Sequence, residues 1–255
     1  MRQTEIDPGV GGRALSLRPW SPRRLRDSRT FSHVLIRDTA PHGLMASAVQ
    51  NPMAIDSGRR LQARVYLERG FVDEGVVVDG VINDAHDPHV YHADYFETTG
   101  DGGRLHVSAR QLRCQTDAAC GELPLIRYAS IAPAWRTRLQ SPEFSTAVEI
   151  SALARASGSP ARAVLLLYRA MWQHSRWLGH GYWVMACEPR LLERLTFLFG
   201  RNLMVIGSRS RYTGGDIIPV AVALPAAEAD LRRKAKSHIP SIRREAARFL
   251  IDVGP

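Results

Sequence analysis

The spacing of apolar and polar residues divides the chain into short strands and helices. Residues 90–98 and 105–112 flank the glycine-rich turn from Thr99 to Gly103, which predicts a β-hairpin. Residues 147–154 alternate, with Val148, Ile150 and Ala152 on one side, which predicts another strand. Further strands are predicted at residues 31–36, 44–49, 182–187, 203–208 and 217–224.

Helical spacing predicts one helix before the hairpin and a longer one after the strand at 147–154. The first begins at Asp56-Ser57, which can cap it, and ends at Gly70. The second begins after Pro160 and ends near Gly179, with an apolar side packed on the sheet. That apolar side comprises Val164, Leu165, Tyr168, Met171 and Trp172, and we expect Trp177 in the core as well. Shorter helices are predicted at residues 134–139 and 189–198, and a basic helical tail follows, broken at Pro240.

The strand at 147–154, the long helix and the strand at 182–187 form a strand–helix–strand unit, which predicts a parallel pair. The remaining strands fit antiparallel pairing. The sequence therefore predicts an α/β (α+β) protein with a mixed, mostly antiparallel twisted sheet and helices on both faces. We divide it into a basic arm (1–37), a main domain (38–225) and a basic helical tail (226–255).

Glu149 and Ser151 project from the same face of the predicted strand at 147–154, together with Leu153. A carboxylate on a buried sheet needs a partner or a chemical task. Two interpretations follow: Glu149 orients or deprotonates an amine, or it forms a buried salt bridge with Arg110. Ser151 is either a second catalytic group or a hydroxyl that satisfies its neighbours.

Charge narrows the choice of partners. The net charge is +9 and the pI is about 10.1, and nearly all of the positive charge is arginine. Such a balance favours acidic partners such as an acidic carrier protein or nucleic acid, although a general arginine bias would produce it too. The three cysteines contain no CxxC pair, which is typical of reduced thiols in a cytoplasmic protein. No apolar run approaches the roughly 20 residues of a membrane span.

Several short motifs in order resemble one enzyme group. They are residues 65–71 (VYLERGF), 84–87 (DAHD), 108–112 (SARQL), 149–151 (EIS) and 212–215 (YTGG) followed by IIPV. Together they resemble the GNAT superfamily of N-acyltransferases, in its branch of acyl-homoserine lactone synthases and long-chain N-acyl amino acid synthases. Two arginines of that pattern are replaced here, by Gln62 and Ala152, although Arg64 and Arg155 are nearby in sequence.

The resemblance implies a GNAT-like fold in which the parallel strands splay apart to form the acyl-donor slot. It implies an N-acyltransferase that moves a fatty acyl chain from acyl carrier protein or acyl-CoA to an amino-acid-like amine, with no permanently bound cofactor and no covalent acyl-enzyme. The implied catalytic residues are Glu149 and Ser151. The implied substrate-binding residues are Asp84, Asp87, Arg110, Tyr66 and Phe71. Arg155 and Gly158 would bind the donor's phosphates, although Pro160 removes one backbone N–H there and so favours carrier-protein pantetheine over CoA.

Two alternatives remain at this point. His86, His89 and His92 lie among aspartates and could bind a metal, but their spacing in a loop interrupted by Pro88 does not place them on one face, so we expect no metal. The GNAT-like domain could also be catalytically empty, with the basic arm and the run Arg232-Arg233-Lys234 contacting nucleic acid. Neither segment contains an aromatic stacking motif.

Overall fold

The computed structural model describes residues 36–37, 43–82, 91–114, 123–212, 215–236 and 242–251. The strands are β1 Ile36–Arg37, β2 Met45–Val49, β3 Val77–Val78, β4 Val81–Ile82, β5 Tyr91–Thr99, β6 Leu105–Cys114, β7 Ala147–Arg155, β8 Tyr182–Cys187, β9 Leu203–Val205, β10 Ser210–Tyr212 and β11 Gly215–Ala223. The helices are α1 Pro52–Glu68, α2 Pro124–Tyr128, α3 Pro133–Leu139, α4 Ala161–Leu178, α5 Pro189–Phe199, α6 Leu224–Ala235 and α7 Ile242–Ile251.

One large sheet organises the described residues. Its strand order is β1-β2-β5-β6-β7-β8-β11-β10, and β9 also pairs with β11. The pairs are antiparallel except for β7 and β8, which are parallel. A small separate hairpin joins β3 to β4. The predicted mixed sheet with one parallel pair is therefore confirmed, as is the predicted hairpin of β5 and β6.

The parallel pair is short. β7 and β8 align from Ala147 opposite Tyr182 to Ile150 opposite Met185, and the described pairing ends there. β7 continues to Arg155 along β6, while β8 continues along β11. Beyond Ile150 and Met185 the two strands no longer pair with each other, and we call this unpaired region of their facing edges the gap.

The two faces of the sheet carry different cores. On one face, Val148 and Ile150 of β7 pack with α4 and with residues of α5, α6 and α7. On the other face, Leu112 and Val184 pack with α2 and its neighbours. Residues of α6 and α7 that belong to the first core are Ala227, Leu231, Ala235, Ala247, Leu250 and Ile251. The division into three segments stays a prediction, but both tail helices contribute to the main core.

Helix α1 begins one turn earlier than predicted. Its N-cap is Asn51, whose Oδ1 accepts a hydrogen bond from the Met53 amide at 2.9 Å, and Pro52 is the first helical residue. This combination of a capping side chain and a proline fixes the start, so Asp56 lies inside the helix. The predicted end at Gly70 is confirmed, since Gly70 has φ +66° and directly follows the C-cap.

Two further expectations were wrong. Trp177 is 38% exposed, because it lies on the outer side of α4 while Trp172 is buried. The strand predicted at 203–208 covers only β9, because the next residues bond to a different segment: Ile206 O accepts from the Ala132 amide, and Gly207 bridges to Ile131.

Among the described residues, no helix is both long enough and apolar enough to cross a membrane.

Candidate active site

A β-bulge interrupts β7 beside the gap between β7 and β8. Arg110 of β6 lies opposite Ser151 and Ser108 lies opposite Ala154, so two residues of β7 face a single residue of β6. Ala152, one of those two, has φ +56°, in the left-handed region that is unusual for a residue with a Cβ. The bulge bends the strand at the point where its pairing with β8 has ended.

The bulge changes which side chains share a face. Glu149 and Ser151 lie on one face, as predicted, but Leu153 packs into the opposite core with α4. The extra residue shifts the alternation by one position, so Leu153 does not follow Ser151. Ala152 instead lines the cleft on the Glu149 side of the sheet. The sequence has no glycine at this position to indicate a left-handed residue.

Glu149 is almost fully buried, with 4% of its surface exposed. Its Oε2 accepts a hydrogen bond from the backbone amide of Leu125 at 2.8 Å. Leu125 lies in the first turn of α2, and the N-cap residue Leu123 provides no side-chain cap. The carboxylate therefore satisfies an otherwise uncapped helix amide and holds α2 against β7. Its catalytic role stays a prediction.

Arg110 and Ser151 form a pair directly across the antiparallel strands β6 and β7. The Arg110 Nε donates a hydrogen bond to the Ser151 Oγ at 3.2 Å. Arg110 is 6% exposed and points to the same face as Glu149, since Leu112, two residues further along β6, lies opposite Glu149. Three of the predicted site residues are thus brought together on one face of neighbouring strands.

A shallow cleft lies between α1 and this face of the sheet, and its empty space of about 310 Å³ includes its open mouth to solvent. At its base α1 crosses β6 closely: a Cβ placed on Gly58 would lie 3.3 Å from the Ser108 Cβ, and the Ser108 Oγ donates to the Gly58 carbonyl at 3.2 Å. The cleft is lined by Val49, Ala54, Ile55, Gly58, Arg59, Gln62, Tyr95, Phe96, Glu97, Ser108, Ala109, Arg110 and Ala152.

Both positions where the family pattern has arginine, Gln62 and Ala152, line this cleft. Arg64 and Arg155, their neighbours in sequence, are exposed and do not line it. Its guanidinium groups come instead from Arg59 of α1 and from Arg110. Arg59 belongs to none of the sequence motifs, and it lies one helical turn before Gln62 and therefore on the same side of α1.

Tyr66 and Phe71 pack against each other at the end of α1, outside the cleft. Their rings make an edge-to-face contact with centroids 5.5 Å apart. Phe71 covers Gly215 at the start of β11, where a Cβ would come within 2.9 Å of the ring. Neither Tyr66 nor Phe71 lines the cleft that Arg110 lines, and their role in binding substrate stays a prediction.

The predicted phosphate-binding residues lie on the turn from β7 into α4. Arg155 is exposed at the end of β7, and Gly158 is exposed with φ +73°. The next residue, Ser159, is buried and bonds the His106 imidazole at 3.0 Å, which fixes the turn. Pro160 is the N-cap of α4 and provides no capping side-chain hydrogen bond. Arg155 and Gly158 are both exposed beside the start of α4, and their role in binding phosphate stays a prediction.

Asp84 and Asp87 lie outside the described residues, as do His86 and His89 of the alternative metal site. In the part of the chain that is described, no cluster of three or more histidine, cysteine or acidic side chains could hold a metal ion.

A buried polar cluster under α4 was not predicted. The Ser175 Oγ accepts hydrogen bonds from the Trp183 Nε1 at 2.8 Å and the Gln111 Nε2 at 3.0 Å. His180, 6% exposed, places its Nδ1 3.4 Å from the same hydroxyl. Burial, with a smaller contribution from the nearby charge of His174, lowers the pKa of His180 from 6.5 to about 3. This cluster lies on the face opposite Glu149 and ties α4 to the sheet.

Among known proteins, only solved structures match this chain. No protein-family model matches the chain, and no curated protein matches it significantly. Solved structures do. FeeM, an N-acyl amino acid synthase from uncultured soil microbes, matches with a TM-score of 0.54 at 19% identity, over 73% of this chain and 93% of that one. The chain therefore shares the fold of this synthase.

Two acyl-homoserine lactone synthases resemble this chain to a similar degree. BjaI, a CoA-dependent synthase solved with SAM and isopentyl-CoA, matches with a TM-score of 0.56 at 16% identity, over 82% of this chain and all of that one. LasI matches with a TM-score of 0.54 at 17% identity, over 72% and 91%. At these identities the likeness shows the fold, and the fold expected from the sequence resemblance is confirmed.

Proposed function

We propose that the protein is an N-acyltransferase that moves a fatty acyl chain from a thioester to the amine of an amino-acid-like acceptor. The observation that carries the proposal is the gap beyond Ile150 and Met185, where the parallel strands separate beside a bulge. Two strand edges facing such a gap can pair with an extended amide-containing arm as with an added strand. Pantetheine is such an arm, and it carries the thioester.

The cleft under α1 supports the same function, because it lies next to the gap and contains polar groups for a second substrate. Ala152 lines the cleft and belongs to the bulge. An acceptor in the cleft and a donor in the gap would therefore meet at the bulge. Bringing two reactants together in a fixed geometry is itself a large part of catalysis.

The chemistry requires a neutral amine. Its nitrogen attacks the thioester carbonyl, the tetrahedral intermediate collapses, and the carbon–sulfur bond breaks to release the pantetheine thiolate, which takes up the proton that the amine nitrogen loses. We assign Glu149 to accept the amine proton directly or through water, and the Arg110–Ser151 pair to hold the acceptor. The Leu125 amide fixes Glu149 through Oε2 and so orients the carboxylate.

We favour an acyl carrier protein as the donor and acyl-CoA as the alternative. Carrier proteins are acidic, and the net charge of +9 favours such a partner. The exposed Arg155 beside the N-terminus of α4 suits the phosphate that either donor carries. We also place the enzyme in the cytoplasm, because its three cysteines contain no CxxC pair.

Nucleic-acid binding has weaker support. The basic run of α6 is paired with acidic residues of the same helix: Arg232 bonds Glu228 at 2.9 Å, Lys234 bonds Asp230 at 2.7 Å, and Arg233 also pairs with Asp230. These pairs reduce the charge that a phosphate backbone would meet. A gel-shift assay at low salt should show no complex with DNA or RNA, whereas a salt-sensitive complex would favour this alternative.

The experiment for the proposed function is mass spectrometry of lipid extracts from a host that expresses the protein. We expect N-acylated products with the wild type and none with Glu149→Gln, while Glu193→Gln, an exposed change on α5, serves as the matched control. Circular dichroism of the purified variants checks folding. Absence of any acylated product with the wild type would contradict the function, and full product with Glu149→Gln would contradict only the role of Glu149.

A further inference from the structure

The cleft under α1 contains a cation and an anion that no described residue neutralises. Arg59 of α1 and Glu97 of β5 are both half-buried and both line the cleft. Within the described part of the chain neither makes a side-chain hydrogen bond or an ion pair, and they do not pair with each other. Burial raises the pKa of the Glu97 carboxyl. Other arginines of α1 differ: Arg60 bonds Asp56 at 2.7 Å, and Arg64 is exposed.

Two opposite charges in one cleft, each withdrawn from water and each without a partner, are costly to the empty protein. A ligand with only a carboxylate would neutralise Arg59 and leave Glu97 uncompensated. A simple amine would do the reverse. A ligand that carries both charges compensates both groups at once and gains charge-assisted hydrogen bonds.

The rest of the cleft fits a small ligand of this kind. Its empty space of about 310 Å³ includes its open mouth, so only a small ligand fits and part of that ligand stays in water. Gln62 adds an amide that can donate and accept, and Val49, Ala54 and Ile55 form an apolar wall. Ala152 lines the cleft and also belongs to the bulge, so the cleft adjoins the bulge.

We propose that Arg59 and Glu97 form a recognition site for a zwitterionic amino acid, with the ligand carboxylate on Arg59 and its ammonium group on Glu97. That this ligand is the acyl acceptor rests on the proposed function, whereas its binding does not. The pair selects free amino acids over their esters and over simple amines, because each of those analogues leaves one half-buried charge uncompensated.

The test is binding to the purified full chain without any acyl donor. Isothermal titration calorimetry with each of the 20 standard L-amino acids identifies the tightest ligand, which is then compared with its methyl ester and its decarboxylated amine. We expect each analogue to bind at least tenfold more weakly than the amino acid. Equal affinity for the amino acid and its decarboxylated amine, or no binding of any amino acid at millimolar concentration, would overturn the proposal.

Variants separate the two charges. In Arg59→Gln we expect the preference for the amino acid over its methyl ester to disappear, and in Glu97→Gln we expect that preference to remain while overall affinity falls at least tenfold. The controls Arg64→Gln and Glu68→Gln, both exposed on α1, should bind as the wild type does. Because the ester preference is a ratio within each variant, a change in stability does not imitate it. Unchanged ratios in Arg59→Gln would refute the assignment.

Failure of this proposal and failure of the proposed function give different results. If the protein acylates simple amines as readily as amino acids, the proposed function holds and the Arg59–Glu97 recognition site is refuted. If the protein binds amino acids with the expected selectivity but yields no acylated product, the recognition site holds and the proposed function is refuted.

Discussion

Replacing Ala152 tests whether the bulge beside the gap has the left-handed backbone that the structure shows. At φ +56° a residue with a Cβ costs about 1–2 kcal/mol relative to glycine. Glycine in turn loses about 0.5–1 kcal/mol more backbone entropy on folding than alanine does. Ala152→Gly should therefore stabilise the protein by about 0.5–1 kcal/mol.

Ala152→Val should have the opposite effect. A β-branched residue is a genuine outlier at positive φ, and we expect a loss of about 1–2 kcal/mol. The glycine and valine variants should then differ by about 2 kcal/mol, which for a chain of this size corresponds to about 4–8 °C in melting temperature.

The assay is thermal and urea unfolding followed by circular dichroism, with Ala48 of β2 as the control position. Ala48 has negative φ, so Ala48→Gly should lower stability where Ala152→Gly raises it. If glycine destabilises both positions, or if Ala152→Val is as stable as the wild type, the backbone at Ala152 is not left-handed. The description of the bulge would then be wrong.

Two further predictions concern the polar cluster under α4. Ser175→Ala leaves the Trp183 Nε1 donor buried without its acceptor, whereas Gln111 Nε2 keeps its bond to the Met171 carbonyl. At about 1–3 kcal/mol for an unsatisfied group we expect a loss of about 1–3 kcal/mol in urea unfolding. Exposed Ser157→Ala is the control, and equal stability of the two variants would contradict the bonding. The pKa of His180 is about 3 in the folded protein against 6.5 for the free group. Below pH 6.5 the unfolded chain therefore binds a proton that the folded protein does not bind. The stability that neutral His180 allows is present above pH 6.5 and is lost as the pH falls towards 3. Between pH 7.5 and 5.0 the free energy of unfolding should drop on the order of 2 kcal/mol, and His180→Asn should remove that part of the drop; an unchanged drop in the variant would show that His180 is not its source.

The spacing of apolar residues predicted those strands and helices that are buried on one side or on all sides. β8 begins at Tyr182 and ends at Cys187, as its run of buried residues indicates, and the turn rich in glycine located the hairpin of β5 and β6. These signals are local, because each depends on side chains that alternate within a few residues. The order of elements then sufficed for the parallel pair and the fold.

Other features depend on tertiary packing that no local pattern records. The bulge at Ala152 lacks a glycine, so the alternation from Glu149 appeared to continue to Leu153. The start of α1 was misplaced because Asn51 and Asp56 are both good caps, and only the structure shows which one bonds the helix amides.

The candidate site was predicted only in part. Glu149, Ser151 and Arg110 share a face because strand neighbours can be inferred from their order. Arg59 and Glu97 belong to elements far apart in sequence, and their meeting in one cleft follows from how α1 crosses the sheet. A scan for arginines on the Gln62 side of α1 would have identified Arg59, whereas no local signal distinguishes Glu97 from a solvent-facing strand residue.

The most direct test of the central claim, that the gap beyond Ile150 and Met185 receives the acyl donor, is amide hydrogen exchange of the purified protein. Exchange is measured with and without dodecanoyl-CoA, and again with a dodecanoyl carrier protein. We predict that a donor slows exchange of backbone amides in the second half of β7, residues 151–155, and at the end of β8, because the pantetheine arm pairs with them. Unchanged exchange at these residues with both donors at saturating concentration, or protection confined to other strands, would contradict the account.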